Sequence, residues 1–301
     1  MSYYIKTGES FPAGIARIGA EQNEKAIEAL EQPEQLHKGI HKARKHFKKL
    51  RAIFRLIRDE TGQGYYKASN VFYRDRGREL APLRDITSLI KALDMLEDYF
   101  NDQVKKATFD EMRELLETER QQTRQETIDD NSQLQQVVAQ LQDARSWFMA
   151  VPVEKGHLKD TVHSLRRVYK RGYKRFQKAQ QAPTAYQMHQ WRKRTKYLWY
   201  HHRLLKQTWP KVYKAYAKSI HQLSDILGDH HDFALLDQKA EALSPKLSEN
   251  NRRVIRALCR ERQGELEQDA FALGRLIYAE RPDAFAERQE EWLKGWGSKM
   301  T

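Results

Sequence analysis

The chain of 301 residues has little of several things, and each scarcity excludes something. A single cysteine, Cys259, rules out an internal disulfide, and the opening MSYYIKTGES lacks the charged-then-apolar pattern of a signal peptide. No apolar run approaches the roughly 18 to 20 residues that span a bilayer, so the expectation is a soluble, cytoplasmic protein with no membrane association. Only eight prolines and 14 glycines punctuate it, which leaves room for long helices. Strand periodicity is missing throughout, and the fold class expected is all-α. Carboxylates are missing from two long stretches, Leu36 to Arg58 and Thr161 to Ser224, both dense in Lys, Arg and His. Asp85 to Asp143 is dominated by acids instead, so the net charge of +13 understates how cationic one surface is. Segregated charge of this kind predicts a polyanionic partner: nucleic acid, anionic lipid or a phosphate polymer.

What the chain does have is one pattern used twice. HKARKHFKKLR begins at His41 and HQWRKRTKYLW at His189. Each places a histidine, then Arg and Lys three and four residues on, and a further Lys at the seventh: His41, Arg44, Lys45, Lys48 and His189, Arg192, Lys193, Lys196. These offsets share one helical face, where like charges repel, so the arrangement expects an anion. In the first copy Leu36, Ile40, Ala43, Phe47, Leu50, Phe54 and Ile57 form an apolar seam. Beside it runs a basic row that includes Arg51 and Arg55, its members about 5 Å apart along the axis. A third helix repeats the design, with Leu158, Val162, Leu165, Tyr169, Gly172 and Phe176 apolar and Arg166, Arg167, Lys170 and Arg171 flanking them.

Breakers at Pro33, Thr61-Gly62, Pro82, Asp129 to Ser132, Pro152, Pro183, Pro210, Gly228, Pro245 and Pro282 suggest about a dozen helices. The repeat extends beyond the motif helices, because Arg84-Asp85-Ile86 follows His41 at nearly the distance at which His231-Asp232-Phe233 follows His189. The organisation expected is therefore an N-terminal helix in residues 1–32 and two related helical halves, residues 33–150 and 155–297.

With LRDI at Leu83 to Ile86, YKRGYKRF at Tyr169 to Phe176, LGDHHD at Leu227 to Asp232 and RLIYAERPDAF at Arg275 to Phe285, the ordered set of motifs resembles the CHAD domain, the conserved histidine α-helical domain, over nearly the whole chain. The resemblance implies two helical bundles of about four long helices each, related by an internal pseudo-two-fold, and binding of inorganic polyphosphate through basic residues. Carried onto this sequence, the matched positions are His41, Arg44, Lys45, Lys48, Arg51, His189, Arg192, Lys193 and Lys196; the charge seams add Arg55, Arg166, Lys170, Arg171 and Arg203. Trp199 departs from the family pattern, which usually has Arg there, and Tyr173 interrupts a basic run. Many relatives carry a triphosphatase module with a Glu-x-Glu-x-Lys motif, and none occurs here, so the expectation is a stand-alone module.

Other readings follow from the same residues. His41 and His189 either face the ligand or are buried structural histidines. Asp85 and Asp232 orient basic side chains or cap helices, and Trp191, Tyr197, Tyr200 and Trp209 serve packing. His230-His231-Asp232 would be the nucleus of a metal-dependent phosphohydrolase, but no HEXXH and no P-loop accompanies it, so no enzyme activity, metal or cofactor is expected. Non-specific RNA or DNA binding satisfies the charge argument equally, without a helix-turn-helix, zinc-finger or RRM signature. The leading expectation is a non-catalytic binder of polyphosphate, localised in the cytoplasm on polyphosphate granules.

Overall fold

The computed structural model describes residues 3–32, 36–129, 132–149, 151–153 and 156–297, and these contain helices and connecting turns with no strand. In chain order the helices are α1 (Phe11–Leu30), α2 (Leu36–Leu56), α3 (Arg58–Glu79), α4 (Ala81–Tyr99), α5 (Ala107–Asp129), α6 (Ser132–Asp143), α7 (Arg145–Met149), α8 (Val162–Gln181), α9 (Ala185–Leu204), α10 (Pro210–Ala242), α11 (Glu249–Ile277) and α12 (Pro282–Gly297). A 3-10 turn at Leu158–Thr161 leads into α8. Prolines open several helices as their fixed φ allows, in α1, α4 and α10.

The apolar seam of α2 is buried along its whole length, from Leu36 to Ile57. Each such side chain stabilises the fold by roughly 1.5 to 3 kcal/mol when removed from water. The α8 row does the same with Leu165, Tyr169 and Phe176; Tyr169 stacks on Phe285 of α12 with ring centroids 4.0 Å apart. Gly172 lets α8 close on Tyr278, whose ring a Cβ there would enter. Before α1, Tyr3 and Ile5 are buried, and the Ile5 amide donates to the Leu204 carbonyl at the end of α9.

Packing recurs along the chain: α1 lies on α2, α2 on α3 and α4 on α5, then α8 on α9, α9 on α10 and α10 on α11. Several crossings join the early helices to the late ones, chiefly α4 on α10, α2 on α9 and α5 on α11. The buried clusters follow the crossings. One combines α1, α2, α3, α6 and α7 with α8, α9, α12, the first half of α10 and the end of α11, and the other combines α4 and α5 with the end of α10 and the earlier part of α11. Both clusters draw side chains from either side of residue 150.

One breaker position behaves differently from expectation. Gly228 does not interrupt a helix, since α10 runs unbroken through it, and a Cβ there would meet the Arg192 guanidinium at 3.5 Å, an ordinary van der Waals contact. Gly62 kinks α3 with φ of +80°, a left-handed conformation suited to glycine, yet the helix resumes beyond it. Pro33 and the Asp130-Asn131 pair lie outside the described residues, as do the side chains of Leu83 and Arg84.

Candidate functional site

The crossing of α2 over α9 brings the two basic rows together. Its anchor is His201, fully buried on α9, whose Nε2–H donates to the Ala52 carbonyl of α2 at 2.9 Å. The anchor aligns cation with cation: Lys48 is close enough to lower the His189 pKa, Arg51 that of Lys193, and Lys45 that of Lys196. Lys45 and Lys48 are exposed, and His41, half-buried, lies in the same α2 row.

Other members are held by partners within the chain, mostly neutral ones. Arg44 donates from Nη1 to the Gly77 carbonyl at 2.7 Å, and its Nη2 lies 3.7 Å from Asp85, which orients it. Arg51 donates from Nε to Asn70 at 3.1 Å. Opposite, Arg192 rests against Gly228 with its Nε buried and without a hydrogen-bond partner. The His189 ring packs on His231 with centroids 4.0 Å apart. Burial first, then Lys193, Arg192 and Lys48, depress His189 to about 4; burial and the same neighbourhood take His231 to about 3. Lys196 is pushed down to about 8, chiefly by burial, although Asp225 stands 3.7 Å from its Nζ and partly opposes the shift. A site that depresses its own cations in this way has too few anions of its own, and an incoming anion would relieve it.

The remaining expected residues are distributed unevenly. Arg55 lies over the Tyr197 ring at 3.9 Å and donates to the Arg51 carbonyl, while Arg171 is exposed on α8 close to Arg194. Lys170 is half-buried on α8. Arg203 stands over Trp199 at 4.9 Å and Tyr3 at 5.4 Å, lining a cleft of about 610 Å³ beside α10. Arg166 is ion-paired with Asp283 of α12, a partner from the far end of the chain that no local pattern could reveal. Sequence reasoning passed over Lys49, depressed to about 8 by burial and by Arg203, and Arg194, depressed to about 10 by burial and by Arg171. Both sit off the expected helical row, and only the helix crossings expose their neighbours. The adjacent His230 and His231 turn to different partners, Glu267 at 2.9 Å and His189, and among the described residues no cluster of three His, Cys, Asp or Glu side chains is arranged to hold a metal.

With this geometry in place, comparison with known families is decisive. Residues 20–241 match the family model of the CHAD domain. The chain belongs to the CHAD domain family. Its fold is similar to that of a solved structure described as the CHAD domain from the plant Ricinus communis, with a TM-score of 0.62 and 18% identity over 94% of this chain and 95% of that one. At that identity the likeness concerns the fold, and the all-α architecture of this CHAD chain agrees with it. No curated protein matches the chain. No helix among the described residues is long and apolar enough to cross a membrane.

Proposed function

We propose that this CHAD domain binds inorganic polyphosphate along the crossing of α2 and α9, without catalysis. The observation that carries the reading is the meeting of the two carboxylate-poor rows, with Lys48 beside His189, Arg51 beside Lys193 and Lys45 beside Lys196. A phosphate polymer offers repeated charge and no bases, so charge, hydrogen bonds and shape are all that recognition can use. Arg forks onto two oxygens, while Lys tolerates sliding along a uniform chain. The core contacts are His41, Arg44, Lys45, Lys48, His189, Arg192, Lys193 and Lys196, with Arg51 and Arg55 extending the row. Catalysis has no part in the reading, because His230 is engaged by Glu267 and His231 by His189. In a cell, the same surface would place the protein on polyphosphate granules in the cytoplasm.

The test is Lys48→Glu combined with Lys193→Glu, one substitution on each side of the crossing. Calorimetry with long-chain polyphosphate is expected to show affinity lower by about a hundredfold, with a shallower salt dependence. Unchanged affinity in a folded double variant would move the site elsewhere.

A further inference from the structure

Beside the crossing, five guanidinium groups close around one small pocket: Arg55 from α2, Arg58 from the start of α3, Arg167 and Arg171 from α8, and Arg194 from α9. Their donors are incompletely used. Arg55 Nε, Arg167 Nη1 and Arg194 Nε are each buried without a hydrogen-bond partner. Leaving a buried N–H of a cation unmet costs about 1 to 3 kcal/mol or more, and three at one place call for an acceptor from outside the chain. Among the described residues one carboxylate reaches the cluster: Asp59 takes Arg167 Nη2 at 2.9 Å and the Ser164 hydroxyl at 3.0 Å, and no carboxylate among them pairs with the other four guanidiniums. Arg55 and Arg58 are positioned by neutral groups, Arg55 over the Tyr197 ring at 3.9 Å and donating to the Arg51 carbonyl, Arg58 over the Tyr66 ring at 4.7 Å and donating from Nε to Gln63 at 2.7 Å. Burial depresses Arg55 and Arg194 below the usual arginine value, and neighbouring arginines add to the effect in both.

Shape separates this pocket from the open rows. Its enclosed volume of about 20 Å³ has room for roughly one oxygen-sized group. A polymer lying across the α2–α9 crossing can run through an open row, but a closed recess receives only an end. An internal phosphate of polyphosphate has two bridging oxygens and about one charge. A terminal phosphoryl has three non-bridging oxygens and up to two charges, which suits a set of convergent Arg forks.

We propose that this pocket takes one non-bridging oxygen of the terminal phosphoryl group of polyphosphate, whose other two meet the guanidiniums around its mouth, so that the domain reads chain ends as well as chain charge. The inference rests on the polymer-binding reading above. It makes Arg58, Arg167 and Arg194 ligand contacts, and it gives the protein a preference for open chains over rings and for free ends over blocked ones.

The experiment compares five probes by calorimetry at constant ionic strength: linear polyphosphate with free ends, the same polymer with both ends blocked as alkyl esters, cyclic trimetaphosphate, linear tripolyphosphate and orthophosphate. Free-ended chains are expected to bind about tenfold or more tightly than blocked ones, as one or two charge-assisted hydrogen bonds imply. Arg171→Gln and Arg194→Gln should each reduce the ratio of free-ended to blocked-chain affinity, whatever each does to binding of the polymer as a whole; circular dichroism verifies their folding. Equal affinity of wild-type protein for free and blocked chains would overturn the end pocket and leave the polymer reading intact. Failure of all polyphosphates to bind would overturn both. Binding of orthophosphate as tightly as tripolyphosphate would also overturn the proposal, by assigning the pocket to the free ion.

Discussion

At the residue scale the informative groups are those whose charge the fold suppresses. His189 is held at about 4 by burial and by Lys193, Arg192 and Lys48. A phosphate arriving beside it favours the protonated ring and raises its pKa in the complex, so binding takes up a proton. The added affinity is present in full below the free value of about 4 and is lost as pH rises through the value in the complex. Polyphosphate affinity should therefore increase on acidification from neutral pH, and His189→Gln should flatten that increase in calorimetric titrations; an unchanged profile would take His189 out of the ligand site. Part of this was legible in the sequence. The offsets of His189, Arg192, Lys193 and Lys196 announced one cationic face. Their offsets could not announce the His231 ring packed on His189, nor the pairing of Arg166 with Asp283, since both depend on helices distant in sequence.

At the element scale, close helix approach decides what can change. A Cβ on Gly39 of α2 would run into the Ala29 carbonyl oxygen of α1, which is backbone and cannot swing aside. Gly39→Ala should therefore destabilise the protein by about 1 to 3 kcal/mol or more in denaturant titrations, because α1 must move off α2. Gly264, inside α11, has nothing within 4 Å of the position its Cβ would take. Gly264→Ala should stabilise by about 0.5 to 1 kcal/mol through helix propensity alone. Opposite signs for two glycine-to-alanine changes separate packing from propensity. The seam of α2 was readable because a buried stripe repeats every three to four residues, and every residue named in it is buried. Gly228 was misread as a break for a physical reason: glycine lowers helix propensity wherever it stands, and here the packing of α10 on α9 and α11 carries the helix through it.

For the whole molecule, charge and stability are linked. His46, His189, His201, His202 and His231 are all depressed, to between about 3 and about 4, with burial as the leading cause in each. The unfolded chain binds these protons near the ordinary value of about 6.5, while the folded chain refuses them until much lower pH. Stability from these groups is present above about pH 6.5 and is lost as pH falls below it. The melting temperature should therefore drop between about pH 7 and about pH 5. Polyphosphate should restore more of it at the acid end, because binding then also relieves the crowded cations of the α2–α9 crossing. The crossings that join early helices to late ones, α4 on α10, α2 on α9 and α5 on α11 among them, are what convert a repeated sequence pattern into one surface. The duplication could be read from the sequence; which faces of the two copies meet could not, because that follows from three-dimensional packing around His201 and Ala52.

The most direct measurement is calorimetric titration with long-chain polyphosphate near physiological ionic strength, alone and with excess duplex DNA or RNA present. The account predicts tight, salt-sensitive binding that nucleic acid does not displace, lost when Lys48 and Lys193 are both reversed to Glu. Displacement by an equal charge of nucleic acid would contradict it and make the crossing of α2 and α9 a general polyanion surface.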